Sequence, residues 1–404
     1  MTFEEKLARY AELLVRVGVN VQPGQRLVVN APIDSAPLVR LVARKAYEAG
    51  CSLVDVHYGD EQLTRIRYES APRDSFEEFA DWTVQAGLNE MERGSGFLSI
   101  AGSDPELLRD ADPELVATVA RVAAERTRPL SQRMMAFDVN WCGAAMPVPS
   151  WARRVFPDEP VEDAVRRLWD AIFTATRVAA EDPVAAWKAH LANLQRRKDH
   201  LNERRFAAVH FRGPGTDLTV GLADGHVWIG GGMRSKRGVL GVPNLPTDEV
   251  FTAPHRERVN GTVRATKPLS VRGALIEGIE MRFEGGRVVE ARASRGQDTL
   301  ERLLGTDEGA QRLGEVALVP ASAPVAQTGV LFYNTLFDEN AASHVALGRG
   351  YAFTVQNPAS RAEAGLNDSL VHVDWMIGSP EVNVDGVRAD GAREPLMRRG
   401  EWVF

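Results

Sequence analysis

Apolar residues recur at helical spacing from the start of the chain. Phe3, Leu7, Tyr10 and Leu14 lie three or four apart, and Gly18 closes the run. Pro23-Gly24 marks a turn, and Arg26-Leu-Val-Val-Asn30 reads as a short buried strand. Ser35 can cap a helix that runs to Gly50, and Ser52-Leu-Val-Asp-Val-His57 is the next strand. Further strands are expected at Gly96–Ala101 and Met134–Val139, with a helix from Pro113 to about Arg128 between them. Helices alternating with short apolar strands predict βαβ units, and hence a parallel sheet with helices on its faces.

The pattern changes after a charged helical stretch over 161–204, which ends at Arg204-Arg205. From Phe206 onward short strands and Gly turns dominate. Phe206–Arg212 runs into Gly213-Pro-Gly215. Ile279-Glu-Met281-Arg-Phe283 alternates apolar and polar, turns at Gly285-Gly286 and returns through Val288–Ala293, a hairpin signature. The expected architecture is an α/β N-terminal scaffold domain with a parallel sheet over 1–204. A mixed α+β, strand-rich C-terminal domain follows over 205–404 and carries the chemistry. A length of 404 residues agrees, because one core stops growing near ~250–300 residues.

Composition narrows the partners. Hydrophobic residues at 44% and charged residues at 25% fit a soluble globular chain, and no apolar run reaches the length of a membrane span. The start MTFEEKLARY lacks the basic and apolar regions of a secretory signal. A net charge of −7 argues against nucleic acid as the main partner; the basic runs at Arg196-Arg197-Lys198 and Arg234-Ser-Lys236-Arg237 read as solvated surface. Two cysteines, Cys51 and Cys142, cannot build a disulfide framework and fit a reducing cytoplasm. Neither belongs to a Cys-x-x-Cys pair, which excludes a thiolate metal site.

Groups able to hold metal concentrate in four segments after residue 240. In Asn244-Leu-Pro-Thr-Asp-Glu249, a carboxylate follows a Pro turn; a helix-capping acid after Thr247 is the alternative. Glu315, in Leu313-Gly-Glu315-Val-Ala-Leu-Val319, opens a buried strand and needs a cation partner, a metal or Arg312. In Asp338-Glu339-Asn-Ala-Ala-Ser-His344-Val-Ala-Leu-Gly348, a helix is expected to begin at Asp338 or Glu339 and end at Gly348. Glu339 then lies at its first turn and His344 reaches back; a helix-start acid and a core histidine are the alternative. In Val371-His372-Val373-Asp374-Trp375, residues two apart in a strand share a face, so His372 and Asp374 form a metal clip or a hydrogen-bonded pair. Together these are four carboxylates and two imidazoles, enough for two ions sharing a carboxylate. The mixed oxygen and nitrogen set favours Zn, Co or Mn over Ca or Mg. Gly213-Pro-Gly215 lacks the third glycine of a dinucleotide loop, and no Gly-x-Ser-x-Gly elbow occurs. His226 and His255 read as surface groups.

Over nearly its whole length the chain resembles the M29 family of metallo-aminopeptidases. The likeness is densest in Arg212-Gly-Pro-Gly-Thr-Asp-Leu218, Pro243-Asn-Leu-Pro-Thr-Asp-Glu-Val-Phe-Thr-Ala-Pro254, Lys267-Pro-Leu269, Gly314-Glu-Val-Ala-Leu-Val-Pro320, Phe332–Gly348 and His372-Val-Asp-Trp-Met-Ile-Gly378. The resemblance implies a dinuclear site of divalent ions (Zn, Co, Mn or Mg). Its ligands fall on Glu249, Glu315, Glu339, His344, His372 and Asp374, with Glu315 as the bridge, and the family's active-site tyrosine falls on Tyr351. It also implies a homodimer with an enclosed cavity. Asp248 stands where a second Glu is usual, Ser343 where Cys often precedes the histidine, and Trp375 where Phe or Tyr is common; none removes a ligand. The expected activity is hydrolysis of the N-terminal peptide bond of small peptides by a metal-activated water, with Glu249 or Glu315 as general base and Tyr351 on the oxyanion. A dinuclear amidase acting on small non-peptide substrates, or an inactive metal-stabilised binding protein, are the alternatives.

Overall fold

The structure, a computed structural model, describes residues 1–404 apart from 105, 272–273 and 358–360. Two compact units emerge: Met1–Lys188 with Gly232–Leu245, and Ala189–Gly231 with Pro246–Phe404. No helix among the described residues is long and apolar enough to cross a membrane.

The first unit is built on a parallel sheet in the order Leu53–Gly59, Arg26–Pro32, Gly96–Ala101, Trp141–Ala145. Leu27, Val29, Leu98 and Ile100 are buried on its inner strands, as expected when helices cover a parallel sheet. Its first helix, Phe3–Leu13, starts with a reciprocal cap: the Glu5 N–H donates to Thr2 Oγ1, and the Thr2 N–H donates to the Glu5 carboxylate. Two expectations are corrected here. The helix from Pro113 runs on to Met135, and the fourth strand is Trp141–Ala145 rather than 134–139. Leu130 and Met134 are one helical turn apart and pack together against Val28, Phe97 and Val139, which holds the helix past Pro129. The strand that follows, Trp141-Cys-Gly-Ala-Ala145, is made mostly of small residues and has little strand signal of its own.

The second unit is strand-rich. An eight-stranded antiparallel sheet runs Arg287–Arg292, Glu280–Glu284, Pro254–Arg264, Thr216–Leu222, Ala208–Gly213, Asn383–Val387, Arg393–Arg398, Glu401–Trp402. A five-stranded antiparallel sheet runs His372–Met376, His344–Gly348, Leu313–Leu318, Val250–Thr252, Ile229–Gly230. One apolar cluster takes Phe211, Leu218, Val220 and Val259 from the larger sheet and Val316, Leu318, Val345, Leu347 and Trp375 from the smaller.

The expected helix over 338–348 does not form. Thr335–Asp338 is a single helical turn, Glu339–Ala341 a 3₁₀ turn, and His344–Gly348 a strand between two others. Alternation decides it. Val345 and Leu347, two apart, both reach the core, which a strand allows and a helix does not. Gly348 ends the strand at φ 103°, and a Cβ there would lie 2.0 Å from the Val371 carbonyl oxygen, so only glycine fits.

Candidate metal centre

Strand register assembles the site. Glu315 pairs with Ala346, and Ala346 with Asp374; Ala317 pairs with His344, and Gly348 with His372. On the face turned away from the core, the middle strand thus offers His344 and then two small residues, Ala346 and Gly348. Carboxylates from both neighbouring strands can lean over that floor. His372 and Asp374 share the face, as their spacing predicts. Glu249 arrives from the next strand over, at the residue before Val250–Thr252.

The polar atoms converge. His344 Nε2 lies 3.3 Å from Glu249 Oε2, 3.5 Å from Glu315 Oε1 and 3.9 Å from Asp374 Oδ1. His372 Nε2 lies 3.7 Å from Glu315 Oε2 and 3.3 Å from Asp374 Oδ1. Ligand atoms about 2.0–2.2 Å from one ion at tetrahedral angles stand roughly 3.3–3.6 Å apart. Two candidate groups result, Glu249–Glu315–His344 and Glu315–His372–Asp374, and Glu315 belongs to both, one oxygen toward each histidine.

Both imidazoles are turned by main-chain carbonyls. His344 Nδ1 is 3.1 Å from the Ala342 oxygen and His372 Nδ1 is 2.7 Å from the Arg349 oxygen. A carbonyl only accepts, so each Nδ1 carries the hydrogen and each Nε2 aims into the cluster, the arrangement of metal-binding histidines. Glu249 Oε2, His344 Nε2 and Asp374 Oδ1 are buried without a hydrogen-bond partner. Acceptors this close and unsatisfied need positive charge among them, from a cation or from protons.

The electrostatics agree. Burial pushes the Glu315 carboxyl up to about 7; the neighbouring His344 imidazole opposes the rise, and the charges of Asp374 and Glu249 add to it. Burial opposes a charged His372, yet the Asp374 carboxylate 3.3 Å away and the charge of Glu315 lift it to about 9. The cluster is short of positive charge, and protons fill the deficit when metal does not. Glu339 sits in the 3₁₀ turn, outside both tight groups, where burial and the charges of Glu249 and Asp374 push it well above the usual carboxylate range. Tyr351, half-buried, has its ring 4.7 Å from that of His372 and stacked on Phe353. Burial, then the charges of Glu315 and Asp374, push its phenol far up, so it keeps its proton to donate.

Other readings of these residues fall away. Arg312 pairs with Glu308 at 3.7 Å and donates to the Arg256 carbonyl, so it is not the partner of Glu315. No helix begins at Thr247, so Glu249 is not a capping acid. His226 and His255 are half-buried rather than surface groups, and neither joins a candidate metal group. The sequence reading passed over Asn340, which is fully buried; its only signal is an amide placed directly after Glu339 and before two alanines.

The comparisons with known proteins agree across the chain. The family model described as thermophilic metalloprotease (M29) matches residues 3–402. Aminopeptidase T of Thermus thermophilus is 52% identical, with 99% of each chain aligned. Aminopeptidase 2 of Geobacillus stearothermophilus is 48% identical over 100% of this chain and 98% of its own. Among solved structures, wild-type AmpT from Thermus thermophilus superposes with a TM-score of 0.94 at 50% identity, covering 100% of both chains. A match this complete, on a chain whose buried carboxylates and histidines converge around shared space, means that the protein belongs to the thermophilic metalloprotease family, M29.

Proposed function

We propose that this metal-dependent aminopeptidase works through a dinuclear centre, in which Glu315 would be shared between two divalent cations (Zn, Co, Mn or Mg). The carrying observation is the pair of three-residue groups that share Glu315, lined by buried acceptors without partners. Such ions polarise the scissile carbonyl and bring the pKa of a water toward neutrality. Glu249 and His344 would complete one ion's set and His372 and Asp374 the other's, with Glu339 as a sixth group from its neighbouring turn. Both Glu315 oxygens face histidines, whereas Glu249 meets His344 through Oε2, which leaves its Oε1 to take the water's proton. Tyr351 donates its phenolic hydrogen to the oxyanion that develops on the substrate. The free α-amine of a small peptide would anchor in the same centre, which would confine cleavage to the first bond. The chain acts as a homodimer.

Elemental analysis of protein reconstituted with Zn or Co should approach two ions per chain. Chelation should abolish hydrolysis of Leu-p-nitroanilide. A free-amine tripeptide should lose residues one at a time from its N-terminus, while its N-acetyl form, without the amine lone pair, should stay intact. Full activity at one ion per chain would sink the dinuclear reading. Comparable turnover of the acetylated peptide would favour the amidase.

A further inference from the structure

Glu315, His344, His372 and Asp374 are fixed by strands, but Glu249 is delivered by a segment with no regular structure, residues 245–249. A ligand on irregular backbone needs something else to hold that backbone. Here a buried carboxamide and an imidazole do so. Asn340 Oδ1 accepts from the Asp248 N–H at 2.6 Å, one peptide before Glu249, and Asn340 Nδ2 donates to the Leu336 carbonyl at 3.1 Å. The side chain is fully buried, and its own backbone adjoins Glu339. On the opposite side of the segment, His190 Nε2 donates to the Thr247 carbonyl at 2.8 Å and lies 3.3 Å from Asp248 Oδ1. The Thr247-Asp248 peptide is therefore gripped from two directions.

We propose that Asn340 is a positioning residue. It sets where the Glu249 carboxylate meets the cluster, and thereby the affinity of the ion held by Glu249, Glu315 and His344. The proposal rests on the dinuclear reading. It predicts asymmetry, because the other group does not depend on Asn340: His372 is turned by the Arg349 carbonyl, and Glu315 and Asp374 lie on paired strands.

The test is a Zn²⁺ titration of metal-free full-length protein against a competing chelator, with circular dichroism to establish that each metal-free variant is folded. Wild type should bind two ions. Asn340→Ala should bind one with wild-type affinity and the other roughly 10–100-fold more weakly, the usual effect of losing an outer-shell contact. Asn340→Asp keeps an acceptor for the Asp248 N–H but loses the donor to the Leu336 carbonyl, and should weaken the same ion by less than Asn340→Ala does. Two wild-type affinities in Asn340→Ala, or equal weakening of both ions, would overturn the proposal; so would a selective loss in Asn340→Asp as large as that in Asn340→Ala. Should Asn340→Ala fail to fold, Asn340→Leu preserves the volume without the acceptor and carries the same expectation. A wild-type stoichiometry of one would fail the dinuclear centre, whereas a wild type of two beside an unaltered Asn340→Ala would fail only the brace.

Discussion

The parallel sheet of the first unit and the five-stranded sheet of the second treat charge in opposite ways. In the first, Leu27, Val29, Leu98 and Ile100 occupy the interior, and ionisable groups pair toward the outside, as in Arg26–Glu90 at 3.0 Å and Lys236–Asp138 at 2.7 Å. In the second, positions of similar depth hold Glu315 and His344. Burying an unpaired carboxylate costs several kcal/mol, by roughly any account. The second sheet can offset that cost with protons or with a bound cation. The first sheet stabilises the fold, whereas the second gives up part of its stability to keep a charged site buried.

Substitutions should separate these roles. The largest effect belongs to Glu315, the residue common to both candidate groups. Glu315→Gln should lower kcat/KM by roughly 10³-fold or more, since it forfeits several kcal/mol of charge stabilisation, and bound metal should fall below two ions per chain. Retention of both ions at wild-type affinity would break the contrast at its centre. Tyr351→Phe comes next. It should depress kcat and kcat/KM together by roughly 10²–10³-fold with metal content unchanged; a rise in KM alone would make Tyr351 a binding group.

In the parallel sheet, Leu98→Ala should behave in the reverse manner. A loss of about 2–5 kcal/mol in unfolding free energy is expected from the cavity, with kcat and metal content at wild-type values below the melting transition. Loss of metal in that variant would mean the two sheets are not independent in function. The smallest effect concerns Asp138. Hydrogen bonds from Lys236 and then Arg133 hold its carboxyl below the ordinary range. The folded state thus binds fewer protons than the unfolded one between the two values. The stabilisation is complete above the unfolded value, near ~3.9, and fades as pH falls through the folded one. Asp138→Asn should therefore lower stability by roughly 1–2 kcal/mol at pH 7, and the difference in melting temperature should close in acid. A gap that widened below pH 4 would contradict the sign.

Different parts of the molecule were legible in the sequence to different degrees, for physical reasons. Arg26–Pro32 and Gly96–Ala101 announce themselves through contiguous apolar residues, because a sheet covered on both faces needs nothing else. The His372–Asp374 pair is readable because a strand repeats every two residues wherever it sits. His344–Gly348 was hidden. Acids precede it, glycine ends it, and its five residues owe their strand conformation to ladders on both sides rather than to local preference. The bulge between Leu313 and Glu315, which sets Glu315 opposite Ala346, is likewise a property of pairing. Asn340 was beyond reach for the same reason, since its partner at Asp248 lies 92 residues away.

Ala346 gives the arrangement a further meaning. Glu315 and Asp374 flank it from strands on either side, so their backbones stand two strand spacings apart, about 9.6 Å. That interval is the repeat of the β-ladder, fixed by amide hydrogen bonds and shared by every sheet. One acid with two methylenes and another with one span the gap, and a lone methyl is all that fills the floor beneath them. The dimension of the centre is thus inherited from the backbone's own lattice, and the side chains have little left to adjust. A bulkier residue at 346 would act as a wedge, forcing apart groups that the lattice holds at a constant pitch.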